Sequence, residues 1–331
     1  MALSIPKSKN SAQSVNSFAQ DVDAGLSADK KFIPPKYFYD TRGDQLFRDI
    51  MALPEYYLTR AEHGILTNYR QELLDHFSRL GPFGLYELGA GDGMKTKVLL
   101  RHFTAGGARF EYLPIDISRN ALSGLVRSLA AEFPNLAINP MAGDYFSVLS
   151  GISQSKKRKV VLFLGASIGN FEFADALDFL KELRNSLSKD DLLLTGFDLK
   201  KNPHEILSAY NDSKGITRDF NLNLLRRINS ELGADFDLSQ FSHYPTYDPL
   251  TGEAKSFLVS QIRQQVRVTA LGKTFDFAEG EAIHTEISRK YSLAEIDLLA
   301  ELSGFVPVRN FSDPKNRFVN ALWKRSKNQR I

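Results

Sequence analysis

The chain has 331 residues, of which 42 are basic and 39 acidic, giving a formal net charge of +3 with histidine neutral. That length supplies core material for one large domain or for two sharing a chain, and so close a charge balance leaves no broad electrostatic footprint for nucleic acid or an anionic membrane. There is no cysteine, which excludes a disulfide framework, a thiolate metal site and a cysteine nucleophile.

In chain order, residues 1–30 are rich in Ser, Asn, Asp, Gln and Lys, and read as a flexible N-terminal arm. They hold no apolar run of signal-peptide length, and no later stretch approaches a membrane span. The expectation is a cytoplasmic monomer without membrane or nucleic-acid partners. From about 80 to 198, strand and helix signals alternate. Strands are predicted at 84–88, 110–115, 136–140, 159–164 and 191–197. The fourth, Lys159-Val160-Val161-Leu162-Phe163-Leu164, is a continuous apolar run of the kind buried on both faces of a parallel sheet. The basic tetrad Lys156 to Lys159 just before it reads as a solvated loop rather than a phosphate site. Over 173–187, the residues Phe173, Ala176, Leu177, Leu180, Leu183 and Leu187 share one helical face, a core stripe. The alternation then breaks. One helix at 217–232 ends at Gly233, and a β-rich stretch follows around 255–288. A capping box, Ser292-x-x-Glu295, restarts a helix that ends at Gly304. Strand-like runs at 305–311 and 318–323 close the chain.

The densest signal is Tyr86-Glu87-Leu88-Gly89-Ala90-Gly91-Asp92-Gly93, directly after a short apolar strand. Alternate glycines allow positive φ and close approach of a ligand to the backbone. A dinucleotide fingerprint requires its third glycine at position 94, which is Met94 here. An acid two places before the first glycine is instead the pattern of S-adenosylmethionine (SAM) sites. Phe110 to Ile115 closes on Asp116, placed to accept ribose hydroxyls from the end of a second strand. Asp144, in Ala142-Gly143-Asp144, is placed to face an adenine amino group from a third. Each feature alone also fits a plain connection or turn. The six histidines (His63, His76, His102, His204, His243, His284) lack paired metal-ligand spacing, so no metal is expected.

Several longer strings point to one family. They are Pro34-Pro35-Lys36-Tyr37-Phe38-Tyr39-Asp40, the run Leu53 to Glu62, Phe163-Leu164-Gly165-Ala166-Ser167-Ile168-Gly169-Asn170, Ala209-Tyr210-Asn211-Asp212, Phe220-Asn221-x-Asn223 and Thr285-Glu286-Ile287-Ser288-x-Lys290. Together, over residues 31–325, they closely resemble the histidine-specific, SAM-dependent methyltransferases that make hercynine, the trimethylated histidine of ergothioneine biosynthesis. The resemblance implies an α/β, class I methyltransferase fold, Rossmann-like, with a mostly parallel seven-stranded sheet. Residues 80–199 plus 289–331 would form the SAM-binding domain, and 31–79 plus 200–288 a second, α+β, substrate-binding lobe. It implies up to three methyl transfers from SAM to the α-amine of free L-histidine. Gly89, Lys95, Asp116 and Asp144 would hold SAM. Tyr56 and Asn170 would take the carboxylate and amine end of the substrate, with Tyr210 nearby. Tyr39 would lie beside the amine as the catalytic residue, and Glu286 and Ser288 would bind the imidazole. One departure is Ala166, where a small hydroxyl residue is expected. The segment around Ser256-Phe257 should also line the pocket.

If 284–288 is extended, Glu286 and Ser288 share a strand face, and an acid plus a hydroxyl can satisfy both imidazole nitrogens. A surface glutamate beside an edge-strand serine is the plainer alternative. Three other functions remain open: methylation of another amino acid or indole-bearing amine, a catalytically dead SAM-fold binding partner, and a nucleic-acid methyltransferase. Glu286 speaks against an indole, the intact Glu87 and glycines against decay, and Gly165 to Asn170 against a flipped-base motif.

Overall fold

The computed structural model describes residues 11–326. In chain order its helices are α1 (Ser11–Ser27), α2 (Thr41–Met51), α3 (Tyr57–Asn68), α4 (Arg70–Ser78), α5 (Thr96–Ala105), α6 (Arg119–Glu132), α7 (Tyr145–Gln154), α8 (Phe173–Asn185), α9 (Pro203–Tyr210), α10 (Ile216–Leu232) and α11 (Leu293–Ser303). The strands are β1 (Phe83–Leu88), β2 (Phe110–Asp116), β3 (Ala137–Ile138), β4 (Met141–Ala142), β5 (Lys159–Phe163), β6 (Leu192–Asp198), β7 (Phe241–Asp248), β8 (Glu253–Ser260), β9 (Gln264–Val268), β10 (Lys273–Phe277), β11 (Ala282–Arg289), β12 (Phe305–Ser312) and β13 (Phe318–Arg325). The chain divides into two compact units. One holds the chain up to Ile50, Tyr210–Thr246 and Lys255–Glu286; the other holds Met51–Ala209, Tyr247–Ala254 and Ile287 onward.

The second unit is built on a sheet of order β12-β13-β6-β5-β1-β2-β3, with β4 also on β2. Strands β1, β2, β3, β5 and β6 run parallel, and β13 enters antiparallel between β6 and β12. Every residue of β1, β5 and β6 is buried, as a parallel sheet covered on both faces demands. The expected third strand at 136–140 is instead two short pieces, β3 and β4. Pro140 separates them and has no N–H for the ladder. The leucine stripe of α8 packs with Phe163, Phe197 and Trp323 in one apolar core. In α11 the capping box is formed, and Gly304 ends the helix at φ 80°.

Helices α3 and α4 belong to this sheet-bearing unit rather than with residues 31–50. Phe77 of α4 lies edge-on to Phe83 and Phe103, at centroid distances of 6.1 and 5.8 Å. The basic tetrad is not a simple solvated loop either. Lys159 is buried in β5 against Asp191, Arg158 donates to the Phe77 carbonyl, and Lys157 pairs with Glu111.

In the first unit, part of the expected arm is the helix α1, with Phe18, Val22 and Leu26 buried. Phe18 packs on Tyr37 at 4.4 Å, and the Arg227 guanidinium lies over its ring. Phe38 stacks on Phe220 at 4.4 Å, while Phe236, Phe241 and Phe277 form an edge-to-face cluster. Strands β9 and β10 pair as an antiparallel hairpin. The order β11-β8-β7 forms a further sheet.

Candidate active site

The glycine turn leaves β1 at Leu88, and Gly89, Gly91 and Gly93 adopt φ of 72°, 55° and 68°. These are left-handed values that favour glycine. A Cβ on Gly93 would stand 2.4 Å from Leu125, whereas one on Gly91 would meet nothing within 4 Å. The turn's amides are answered from within the fold. Gly89 and Ala90 donate to the Ile115 carbonyl, and Gly93 donates to the Ala90 carbonyl. Gly91 N–H donates to Asp116 Oδ2 at 2.8 Å. A pyrophosphate would need such amides for itself. The turn therefore suits an adenosine without phosphates.

Asp116 ends β2, nearly buried, and its Oδ1 accepts from the Ser118 N–H at 2.8 Å. Each carboxylate oxygen thus holds one backbone amide, and a carboxylate has further lone pairs for hydroxyl donors. Asp144 follows β4 in exposed surroundings, two residues beyond Ala142, the register partner of Asp116. Its Oδ1 accepts from the Ser147 N–H at the start of α7. The acid of the motif, Glu87, points into the fold and accepts from Thr96 and Tyr112 hydroxyls. Burial pushes its carboxyl up to about 7 against the lowering effect of those two donors.

Lys95 precedes α5, and its ammonium pairs with Glu62 of α3. Glu62 Oε2 also accepts from the Gly165 N–H at 2.8 Å, and Oε1 accepts from Asn320 at 3.3 Å. A Cβ on Gly196 of β6 would come within 2.3 Å of Glu62 Oε1, so that glycine makes room for the carboxylate. Glu62 thus ties the lysine at the end of the glycine turn to the carboxyl end of β5. In the sequence Glu62 is marked only as the last residue of the family string that begins at Leu53.

After β5, Gly165 (φ 78°) and Ala166 (φ 57°) are both left-handed, and a short 3-10 turn, Ser167–Asn170, follows. Ala166 is the expected departure, and a non-glycine residue here holds the sort of local strain that collects at functional sites. Asn170 ends that turn half-buried. A Cβ on Gly169 would stand 2.6 Å from the Arg289 carbonyl, so the turn and the end of β11 approach closely.

Tyr56 is the half-buried residue before α3. Its neighbour Tyr57 is buried and donates to Asp198, which also accepts from Lys201 at 2.5 Å and Lys290 at 3.0 Å. Burial lowers the Lys201 ammonium from its ordinary value, opposed by Asp198. Lys290 Nζ also donates to Ser288 Oγ at 2.8 Å. In the sequence Asp198 and Lys201 show only as charges at the end of an apolar strand, and Lys290 only as the last residue of a family string.

In the first unit, Tyr39 lies half-buried, edge-on to Phe47 and Phe220 at 5.8 and 6.0 Å. Tyr210 is buried at the end of α9. Glu286 is half-buried on β11, and its carbonyl accepts from His284 Nε2. Thr285, on the opposite face, is buried, and its single hydroxyl proton is shared between Asn221 Oδ1 at 2.6 Å and the Ser256 carbonyl at 3.0 Å. Ser256 is itself buried, and Phe257 packs on His284 at 5.3 Å. Asn223 donates to Asp40, and Asp212 accepts the first amides of α10. Several residues of the family strings therefore build the scaffold.

A parallel sheet with an antiparallel C-terminal strand inserted, and a glycine turn after its first strand facing an acid on its second, defines a class I SAM-dependent methyltransferase. The donors and acceptors present fit that cofactor. Residues 18–325 match the model of the histidine-specific, SAM-dependent methyltransferases, and the chain belongs to that family. It is 36% identical over 320 residues to a histidine N-alpha-methyltransferase of Mycolicibacterium smegmatis, covering 96% of this chain and 98% of that one. Identity to a histidine N-alpha-methyltransferase of Mycobacterium tuberculosis is 36% over 299 residues, 90% and 92% of the two chains. Ergothioneine biosynthesis protein 1 of Neurospora crassa is 32% identical over 291 residues, 85% of this chain and 32% of that one. Among the described residues, no helix is long and apolar enough to cross a membrane.

Proposed function

We propose that the chain transfers methyl groups from SAM to the α-amine of free L-histidine, up to three times, giving hercynine and S-adenosylhomocysteine. The observation that carries this reading is family membership across nearly the whole chain, with 36% identity to two histidine N-alpha-methyltransferases. SAM supplies the methyl group on a sulfonium. The chain's task is alignment, and proximity with orientation is worth about 7–11 kcal/mol of such a barrier.

The residue roles are part of the proposal. Gly89, Lys95, Asp116 and Asp144 hold SAM. Tyr56, Asn170 and Tyr210 take the amino-acid end, Tyr39 handles the amine, and Glu286 and Ser288 take the imidazole. An α-amine with a pKa of about 8 or above must lose a proton before each transfer. Neutral hydroxyl and amide groups orient the lone pair without a fixed charge. The quaternary product has no proton to donate, and aromatic faces accommodate such a cation. Tyr39 and Tyr56 are aromatic, as that end state requires.

The test is incubation of purified protein with SAM and each of the twenty amino acids, read by mass spectrometry. Histidine alone should gain methyl groups, reaching the trimethylated product. Methylation of another amino acid in preference to histidine would overturn the reading.

A further inference from the structure

We propose that Asn223 is a positioning residue for methyl transfer: its bond to Asp40 fixes the tight turn that carries Tyr39, and so sets where Tyr39 meets the amine. This rests on the reading that Tyr39 handles the substrate amine.

Phe38, Tyr39 and Asp40 make a three-residue turn. The Asp40 N–H donates to the Phe38 carbonyl at 3.1 Å, and Tyr39 between them has φ −93° and ψ 67°. These are the marks of an inverse γ-turn, closed by one backbone bond. Tyr39 is its apex, so the direction of the ring follows the two flanking residues. Both are held. Phe38 is buried and stacked on Phe220. Asp40 Oδ1 accepts from Asn223 Nδ2 at 2.9 Å and from the Gly43 N–H at 2.6 Å. A Cβ on Gly43 would stand 1.7 Å from the Phe38 carbonyl oxygen, so this close return of α2 onto the turn requires glycine. The bond from Gly43 by itself caps α2. The bond from Asn223 is additional to what the helix needs.

The other half comes from α10. Phe220, Asn223 and Arg227 are spaced by three and four residues and form one row on a helical face. Phe220 takes Phe38, Asn223 takes Asp40, and Arg227 donates to the Tyr37 carbonyl at 2.9 Å. Asn221, in the same family string, turns away and meets Thr285. Asn223 is 1% exposed, so water has little access to replace it. Its amide donates to a carboxylate, the stronger class of hydrogen bond. Without that bond one flank of the turn loosens while Phe38 stays stacked, and the Tyr39 ring shifts with it. Each transfer needs the amine lone pair aligned with the methyl group. A loosened turn therefore costs turnover rather than affinity, and the shortfall compounds over successive transfers.

Asn223→Leu keeps a branched side chain and removes the donor. It is assayed with SAM and histidine at a temperature where circular dichroism shows it folded. Its kcat should fall about tenfold, with the histidine KM within about twofold of the parent, SAM affinity unchanged and product shifted toward mono- and dimethylated histidine. A lowered melting temperature with parental kcat and product pattern would make Asn223 a packing residue only and overturn the proposal. An exchange supplies the second arm. Asn223→Asp sets two carboxylates face to face and should also lose kcat. Adding Asp40→Asn returns one amide and one carboxylate at unchanged net charge, and should recover most of the loss. An exchange no better than Asn223→Asp alone overturns the proposal. Tyr39→Phe separates the two levels of the argument. Trimethylation by that variant at the parental rate sinks the reading of Tyr39 and this proposal together. Slowed transfer by Tyr39→Phe beside a parental rate for Asn223→Leu sinks only the assignment of Asn223.

Discussion

Glu62 and Lys95 form an ion pair in which the carboxylate side chain is 1% exposed and the lysine side chain 19%. The acid comes from α3 and the base from the end of the glycine turn, and Gly165 and Asn320 also donate to the acid. Removing one partner of an enclosed pair is costly because the other charge is left unanswered. In Glu62→Gln the amide still accepts from Gly165, while Lys95 is released toward solvent. SAM affinity should fall by roughly tenfold, about 1.4 kcal/mol. Calorimetry should detect this, and unchanged affinity would show that the placement of Lys95 does not matter for the cofactor.

Asp116 holds the Gly91 and Ser118 amides besides any ribose hydroxyl. Asp116→Ala should weaken SAM by roughly 2–4 kcal/mol, from lost charge-assisted bonds and a loosened turn. Asp116→Asn keeps one acceptor oxygen and should fall between. Titration of both variants separates the ligand contribution from that of the turn.

Glu87 gives a pH prediction. Its carboxyl is raised by burial from 4.5 to about 7 in the folded protein, so the fold favours the protonated form. The unfolded state takes up fewer protons between these values. The group's contribution is fully present below 4.5 and is lost as pH rises through about 7. The size is on the order of 3 kcal/mol. Glu87→Gln cannot ionise and should gain stability relative to the parent as pH rises across that window. Urea unfolding at steps from pH 5 to 8 checks it; parallel curves for the two proteins would contradict the shift.

Tyr39→Phe keeps the ring edge-on to Phe47 and Phe220 and deletes only the hydroxyl. SAM binding should survive, while methyl transfer slows or stops at a lower methyl count. Trimethylated product at the parental rate would remove the hydroxyl from amine handling.

Glu286→Ala should raise the histidine KM strongly, leave SAM binding near normal and relax discrimination against tryptophan. Sites built to bond a polar group reject analogues lacking it by about 10⁴–10⁵. Mixed amino-acid competition is the assay. Full retention of histidine selectivity would place Glu286 outside the pocket.

The central sheet was readable in the sequence because strands buried on both faces are apolar throughout, and β1, β5 and β6 are of that type. α11 was readable from its capping box, a purely local device. What escaped depended on partners far along the chain. Tyr56 and Tyr57 are neighbours of one residue type, and only the pairing of Tyr57 with Asp198, 141 residues away, separates scaffold from candidate ligand. Glu62 is one acid among many until Lys95 and Gly165 enclose it. The N-terminal arm looked mobile by composition, yet Phe18, Val22 and Leu26 recur every fourth residue and pack one helical face.

The turn after β1 has a bearing on descent. Its amides are closed onto Ile115, Ala90 and Asp116 rather than held out to solvent. A phosphate-binding turn exposes those same groups. Moving a glycine from 93 to 94 would not convert one into the other, because the bond from Gly91 to Asp116 would have to open as well. Duplicated copies of this gene can therefore drift among amine acceptors by altering the substrate side, while a change to a nucleotide diphosphate would require the turn and β2 to be rebuilt together.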